Sequence, residues 1–447
     1  MISARDLRAR VAEWGLREDV VEKDYVLGWV LAGIGTEPAL RDLWVFKGGT
    51  CLKKCYLETF RFSEDLDFTV LDGGPIREDD VLGHLRRMLA RIGGESGLDF
   101  TVSEPRLRVR PNGSLEGRVY YRGPRNAPSA ASIRLDLTPG ERLVRPPVIR
   151  PIQHLYPDQL PPPGTVRCYS LEEVYAEKLR AMGERGRPRD LYDVIFLLDH
   201  PGLAVHGRLI HETLVAKCES KGVPIPTLEL LEGSPKLAEL ESEWANMLGH
   251  QLPALPPLDH YWQRLPELFD WLAGEVVAPV EAVGGSAGET VWAPSPTAWS
   301  WGSGPALEPI RFAGANRLCV DLGYHGSIRR IEPYSLRVSR AGNLLLYALR
   351  ADGSGMRSYS VGEIQSVKVT NQPFTPKFRV EFRPTGGLHA APVSSSPKSF
   401  SRSRSTPYRV QCPICGKTFP RKRSGTSLNA HKDKYGYPCG GRRGYQV

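Results

Sequence analysis

Residues 61–70 read Arg61-Phe62-Ser63-Glu64-Asp65-Leu66-Asp67-Phe68-Thr69-Val70. Side chains alternate between the two faces of a β-strand, so Asp65 and Asp67 share one face while Leu66 and Phe68 share the other. Two carboxylates on one strand face sit about 7 Å apart, twice the rise per residue. Without a cation they repel. A hard divalent ion, Mg²⁺ or Mn²⁺, held by one or two carboxylates and by substrate phosphates, is the ligand such a pair suits.

The flanks extend the pattern. Leu43 to Phe46 form a short apolar strand that runs into Lys47-Gly48-Gly49-Thr50, and a helix follows through Leu52 to Glu58. A Gly-Gly turn lets backbone N–H groups approach a phosphate at a helix start. Downstream, Ile133-Arg134-Leu135-Asp136-Leu137 alternates as cleanly as residues 61–70, with Arg134 and Asp136 on the polar face. Placed beside the first strand, Asp136 would complete a three-carboxylate site of the kind two-metal phosphoryl transfer uses. A lone D-x-D pair is common on exposed strands; the ordered set of strand, Gly-Gly-Thr, helix, D-x-D strand and later strand aspartate is far more specific. Residues 4–33 and most of 170–250 read as helical, so an α+β domain is expected over residues 1–275.

Two stretches rich in Gly, Ala, Pro and Ser read as linkers, residues 276–307 and 383–407. They set off a middle block, 308–382, and a short end, 408–447. At 447 residues the chain exceeds what one hydrophobic core usually serves. The longest apolar run, Tyr25 to Gly35, is too short to span a bilayer, and no signal-peptide pattern opens the chain, so a cytoplasmic protein without a membrane partner is expected. The formal charge of +9 is uneven: Lys398 to Val447 alone carries +11, leaving −2 for the rest. Such a local excess suits nucleic acid. Cys51, Cys55, Cys168, Cys218 and Cys319 are scattered in sequence and read as reduced core or near-surface thiols, whereas Cys412, Cys415 and Cys439 cluster.

Four blocks together carry a family resemblance: Val21-Glu22-Lys23-Asp24-Tyr25; Phe46-Lys47-Gly48-Gly49-Thr50 with Arg61 to Phe68; Glu177-Lys178-Leu179-Arg180-Ala181; and Arg187-Pro188-Arg189-Asp190-Leu191-Tyr192-Asp193. The region 1–275 resembles the AbiEii/AbiGii toxin nucleotidyltransferases of type IV toxin–antitoxin and phage-abortive systems, within the polymerase-β-like superfamily. The resemblance implies an NTP and Mg²⁺ as co-substrates, transfer of NMP to an RNA acceptor such as tRNA, and a cognate antitoxin. On that reading Asp65, Asp67 and Asp136 are catalytic and metal-binding. Lys47, Gly48, Gly49, Thr50, Ser63, Lys178 and Arg189 hold the nucleotide.

The distal blocks also make sense alone. Ser170 with Glu173 forms a capping box, and Lys178 falls in a stripe with Leu171, Val174, Tyr175 and Met182. A lysine there needs a charged partner, a triphosphate or an active-site carboxylate, unless it snorkels to solvent. Pro188 suits a first helical turn, with Asp190 and Asp193 one turn apart. A buried ion pair from Arg189 or Asp193 to the first helix is the competing structural account.

The middle block shows regularly spaced short strands broken by turns at 323–326, 340–343 and 352–355, the pattern of a small barrel. Arg330 to Leu336, Leu344 to Tyr347 and Arg357 to Ile364 resemble the WYL domain, an SH3- or Sm-like barrel. The chain departs from it where Leu344-Leu345-Leu346 stands for the naming tripeptide. The resemblance makes Arg330, Arg350 and Arg357 candidate nucleic-acid contacts; surface ion pairs are the alternative.

At the end, Cys412-x2-Cys415 is followed by His431 after 15 residues and Cys439 after 7 more. Four such ligands in a segment too small for its own core suit a closed structural Zn²⁺ site, which would supply the folding energy. Arg421, Lys422 and Arg423, interleaved with Phe419, Tyr435, Tyr437 and Tyr445, could grip RNA by phosphate attraction and stacking; a protein-docking knuckle, for an antitoxin or a phage component, is the alternative. The leading expectation is an RNA-modifying enzyme. A protein-nucleotidylating enzyme, or a nucleic-acid sensor built on the later modules, remains open.

Overall fold

The computed structural model describes residues 1–57, 61–199, 203, 206–274, 281–286, 288–292, 307–382, 408–421, 425–433 and 437–446. The chain divides into two compact units, Met1–Leu388 and His389–Val447.

The first unit is built on a seven-stranded mixed sheet of β1 (Trp44–Lys47), β2 (Asp65–Val70), β3 (Arg106–Val109), β4 (Leu115–Tyr121), β5 (Ala131–Pro139), β6 (Val148–Pro151) and β7 (Thr165–Cys168), in the order β3-β4-β5-β2-β1-β7-β6. Strands β1 and β2 run antiparallel, β2 and β5 parallel. Alternation is visible in β5: Ile133, Leu135 and Leu137 are buried while Arg134, Asp136 and Thr138 are half-buried. Helices α1 (Ala4–Trp14), α2 (Glu18–Thr36), α3 (Pro38–Leu43), α4 (Gly48–Cys51) and α5 (Glu78–Ser96) lie in the first third of the chain. The helix expected over Leu52–Glu58 is a π-helix, Leu52–Tyr56, continuing α4, and Glu58 lies outside the described residues. After the sheet come α6 (Leu171–Arg185), α7 (Pro188–Leu198), α8 (Gly207–Lys221), α9 (Leu228–Glu232), α10 (Leu237–Leu248), α11 (Leu258–Trp262) and α12 (Leu265–Ala273).

The opening block works through its polar side chains. Lys23 pairs with Glu64 at 2.6 Å, next to Asp65; Asp24 takes the buried Lys54 at 2.7 Å; Tyr25 donates to Asp158 at 2.6 Å. These bonds tie α2 to the strand and turn that carry the candidate site. At α6, Ser170 accepts from the Glu173 N–H, but the box is only half formed. The Glu173 carboxylate instead accepts from the N–H groups of Val144 and Arg145, at 3.1 and 2.9 Å.

The middle block is a second sheet, and it does not close. Its strands are β8 (Thr290–Val291), β9 (Leu318–Tyr324), β10 (Ser327–Val338), β11 (Leu344–Arg350), β12 (Met356–Ser360) and β13 (Ile364–Pro373), in the order β12-β11-β10-β9-β13 with β8 against β10. Among the described residues β12 and β13 are free edges, so the expected barrel is an open sheet. One reason lies beneath it: α13 (Leu307–Ala315), a helix the sequence reading does not anticipate, packs against β9, β10 and β13. Ile310, Phe312, Leu318, Val320 and Ile331 belong to the same continuous core as the first sheet. Of the linker expected at 276–307, residues 290–291 pair with β10; the linker at 383–407 lies outside the described residues. No helix among the described residues is long and apolar enough to cross a membrane.

The second unit holds β14 (Tyr408–Gln411), β15 (Thr418–Arg421), β16 (His431–Lys432), β17 (Pro438–Cys439) and β18 (Tyr445–Gln446), in a three-stranded and a two-stranded sheet. Its small core is Val410, Cys412, Leu428 and Cys439.

Candidate active site and metal centre

Strand register sets the site. Lys47 on β1 faces Asp67 on β2, Asp67 faces Asp136 on β5, Asp136 faces Glu116 on β4, and Glu116 faces Arg108 on β3. Directly opposed residues in a sheet share a face, so a row of charges crosses five strands. Asp65 faces Arg134 one step along.

Above Lys47, Asp67 and Asp136 lies a cleft of about 280 Å³, also lined by Gly48, Gly49, Arg110, Thr138, Tyr169, Glu177, Lys178, Arg180 and Arg185. Its lining cations, Lys47, Arg110, Lys178, Arg180 and Arg185, outnumber its carboxylates, Asp67, Asp136 and Glu177. Each of these cations also reaches a carboxylate, Lys47 to Glu141, Arg110 to Glu116, Lys178 to Asp193, Arg180 to Glu184 and Arg185 to Asp190, so the wall offers a polyanion oriented donors rather than bare surplus charge. Asp65 is not among the lining residues; it lies toward Arg134 and Arg189.

Gly48 has φ +82°, and a Cβ there would come within 2.5 Å of Asp67 Oδ2. Only glycine lets the turn pass so close to that carboxylate. Gly49 is closed in by Arg61 and Ser63 in the same way. The Thr50 hydroxyl is spent on the Asp65 carbonyl at 2.5 Å, and the side chain is buried. Its observed work is therefore to couple the turn to β2.

Burial pushes the Asp67 carboxyl up to about 6, against the attraction of Lys47, and Asp65 and Asp136 add to the rise. Burial also raises Asp65. Lys47 is held protonated above its ordinary value: burial opposes the charge, but Glu177 at 3.9 Å and a direct bond to Glu141 outweigh it. Glu177 is pulled down, despite burial, by Lys47 and Lys217. Glu141 and Glu177 are site residues that sequence reasoning missed. Glu177 stands next to Lys178 in a quoted block, but nothing in its spacing says that it reaches β1.

Lys178 finds its partners inside the protein, Asp193 at 2.7 Å and Asp190 at 3.6 Å, while still lining the cleft. Arg61 forms a two-pronged bond to Asp193, 2.7 Å on each arm, and Arg185 does the same to Asp190 at 2.7 and 2.9 Å. The distal aspartates thus answer Arg61, Lys178 and Arg185, and not the first helix. Arg189 reaches the Met247 carbonyl at 3.5 Å.

The donors fit a divalent cation. Asp67 and Asp136 lie on adjacent strands, in register, beside one cleft, and the burial of charge that lifts Asp67, with the repulsion that adds to it, is what a cation relieves. The groups of three or more His, Cys, Asp or Glu that gather within 4.8 Å among the described residues are both cysteine sets, so Asp65, Asp67 and Asp136 do not all converge that closely.

One of those sets is Cys412, Cys415, His431 and Cys439. Cys412 and Cys439 sulfurs are 3.8 Å apart, and Cys415 Sγ is 3.3 Å from His431 Nε2. His431 Nδ1 lies 2.9 Å from the Asn429 carbonyl, the outer partner that orients a metal-binding imidazole. A Cβ on Gly441 would strike Cys412 Sγ at 2.3 Å. This donor set fits Zn²⁺.

The three candidate nucleic-acid residues of the middle sheet do not share one face. Register places Arg350 and Arg357 on one face of the middle sheet and Arg330 on the other. Arg330 makes a two-pronged bond to Asp321 at 2.7 and 2.9 Å, and Arg350 pairs with Asp352. Arg357 bonds the Met356 carbonyl. Arg421 ends β15. Lys422, Arg423 and Tyr435 lie outside the described residues.

The profile of the family described as "Nucleotidyl transferase AbiEii toxin, Type IV TA system" matches residues 29–273. No curated protein matches. Among solved structures, MenT4, a nucleotidyltransferase toxin of Mycobacterium tuberculosis H37Rv, is 21% identical with a TM-score of 0.44; the match covers 60% of this chain and 88% of that one.

Proposed function

Since the chain belongs to the AbiEii family of nucleotidyltransferase toxins of type IV toxin–antitoxin systems, we propose that it transfers NMP from an NTP to an RNA acceptor, with tRNA the favoured class. The observation that carries this is the in-register row of Lys47, Asp67 and Asp136 under a cleft walled by Lys178, Arg180 and Arg185.

Asp67 and Asp136 would hold Mg²⁺ or Mn²⁺, which when bound neutralises triphosphate charge and favours departure of pyrophosphate. Lys178, Arg180 and Arg185 line the wall where the triphosphate would lie, and the Gly48-Gly49 turn leaves backbone room for it. Lys47, kept protonated by Glu141 and Glu177, adds a fixed positive charge beside Asp67. Asp136 is the carboxylate we assign to accept the acceptor hydroxyl's proton, because it lines the cleft at the strand next to Asp67, with Arg110 and Arg134 beside it. Asp65 positions: its backbone carbonyl anchors Thr50, and its side chain lies by Arg134 and Arg189.

The tail, with its local charge of +11 and a Cys412, Cys415, His431, Cys439 set for structural Zn²⁺, would deliver RNA to the enzyme. Family membership implies a cognate antitoxin.

The test is incubation of wild type and Asp67→Asn with total RNA, Mg²⁺ and each labelled NTP in turn. Label entering small RNA with wild type alone supports the reading and names the nucleotide. Label appearing on protein with RNA unlabelled overturns the acceptor.

A further inference from the structure

Cys51, Cys55 and Cys168 read from the sequence as separate thiols, yet the fold gathers them. Their sulfurs lie within 4.8 Å of one another, and all three side chains are buried. Cys51 ends α4, Cys55 lies in the π-helix Leu52–Tyr56, and Cys168 ends β7. The π-turn is closed by the Leu57 N–H bonding the Leu52 carbonyl at 2.7 Å. Such turns are rare and concentrate at functional sites.

A second observation concerns charge. Arg150 stacks over the Tyr56 ring, 5.0 Å from its centroid, and the Tyr56 hydroxyl lies 3.7 Å from Cys168 Sγ. That hydroxyl donates to the Tyr169 carbonyl at 2.6 Å, so it offers Arg150 no compensation. Arg150 Nε and Nη2 are buried and make no hydrogen bond. A guanidinium with unspent buried donors calls for an anion close by.

We propose that Cys51, Cys55 and Cys168 form a three-thiolate site for a thiophilic divalent cation, zinc. With zinc–sulfur bonds of about 2.3 Å, a tetrahedral arrangement sets sulfurs roughly 3.8 Å apart, so the observed cluster closes with a small contraction. On binding, the three thiols lose their protons to solvent. Three thiolates and Zn²⁺ leave one negative charge, which Arg150 matches; copper(I) would leave a second charge unmatched. A disulfide is the weaker account. It would consume two sulfurs and strand the third, and buried thiols are shielded from oxidants. The bound ion would pin the segment that begins at Gly48 to β7, and none of the three cysteines lines the cleft. This inference stands apart from the proposed transfer reaction.

The experiment uses the full chain carrying Cys412→Ser/Cys415→Ser, which disables the tail set and leaves the buried trio intact. Grown with zinc and purified without chelator, it is expected to retain one zinc per chain by elemental analysis. Exchange with Co²⁺ should give a thiolate-to-cobalt charge-transfer band, lost when Cys51→Ser/Cys168→Ser is added. A folded, monodisperse tail variant with neither zinc nor that band overturns the proposal. So does a band that survives Cys51→Ser/Cys168→Ser. Because the deciding sample keeps all three buried cysteines, misfolding of the second variant cannot rescue the idea.

Discussion

Arg61 and Asp193 lie 132 positions apart and meet in a two-pronged ion pair with both side chains withdrawn from solvent. Arg61 leads into the D-x-D strand, and Asp193 sits on α7. Lys178 bonds the same carboxylate. One aspartate therefore holds together the strand, the cleft wall and the distal helix.

Removing that carboxylate takes the closest counter-charge from two buried cations, leaving Lys178 only Asp190 at 3.6 Å and Arg61 the neutral Gln251 among the bonds described. Asp193→Ala is expected to cost roughly 3–5 kcal/mol, the usual penalty for breaking a buried pair. Arg61 and Lys178 hold the Asp193 carboxyl below its ordinary value despite burial. Its contribution is thus present above the unfolded carboxylate value, near 3.9, and is lost as pH falls through the lower folded value. Urea melts of wild type and variant across acidic pH check both points. A variant as stable as wild type at neutral pH would refute the structural role.

Asp67 behaves in the opposite sense. Its folded value, about 6, exceeds the unfolded one, so the cation-free protein gains stability as pH falls from about 6 toward 4. Protons then compete with the metal. The Mg²⁺ concentration for half-maximal transfer should rise roughly tenfold per pH unit below about 6, with rate recovered at saturating Mg²⁺. Magnesium titrations at several pH values read this directly. A flat requirement from about pH 5 to pH 7 would remove Asp67 as a ligand.

Gly48→Ala places a methyl against Asp67 at a backbone angle that costs an alanine about 1–2 kcal/mol. We expect a modest fall in melting temperature and a loss of transfer of at least about 100-fold, the scale of a 1 Å misplacement in a catalytic site. Normal activity with unchanged stability would mean the turn has room to spare.

In the tail, Cys412→Ser/Cys415→Ser should unfold residues 408–446, because metal binding supplies the folding energy of so small a core. All nine tryptophans lie before residue 302. Tryptophan-monitored melting should therefore stay as in wild type while limited proteolysis removes the tail. A protease-resistant tail without its metal would contradict the zinc assignment.

Arg330→Glu should leave RNA affinity within about twofold of wild type, since Arg330 already serves Asp321 and faces away from Arg350 and Arg357. Filter binding at low salt suffices to measure it. A steep loss would restore the middle sheet as an RNA surface.

Much of the site was legible because its information is local. The alternation around Asp65, Asp67 and Asp136 fixes which side chains share a face, and the Gly48-Gly49 pair marks a turn that tolerates no Cβ. What could not be read depends on the order in which distant strands assemble. Glu141 reaching Lys47, Asp193 answering both Arg61 and Lys178, and three thiols converging from α4, the π-turn and β7 all follow from sheet order, which no spacing encodes. Helix α13, which packs against the open middle sheet, adjoins a Pro- and Gly-rich stretch, and its nine residues carry too short a period to be recognised.

The charged row from Lys47 to Arg108 also acts as a check on assembly. Sliding β5 by one residue along β2 would put Leu135 or Leu137 where Asp136 stands and bury the carboxylate among aliphatic side chains. A mispaired chain would then be both less stable and without its acidic pair. For an enzyme harmful to its own host, chains that assemble wrongly are disarmed by the same error.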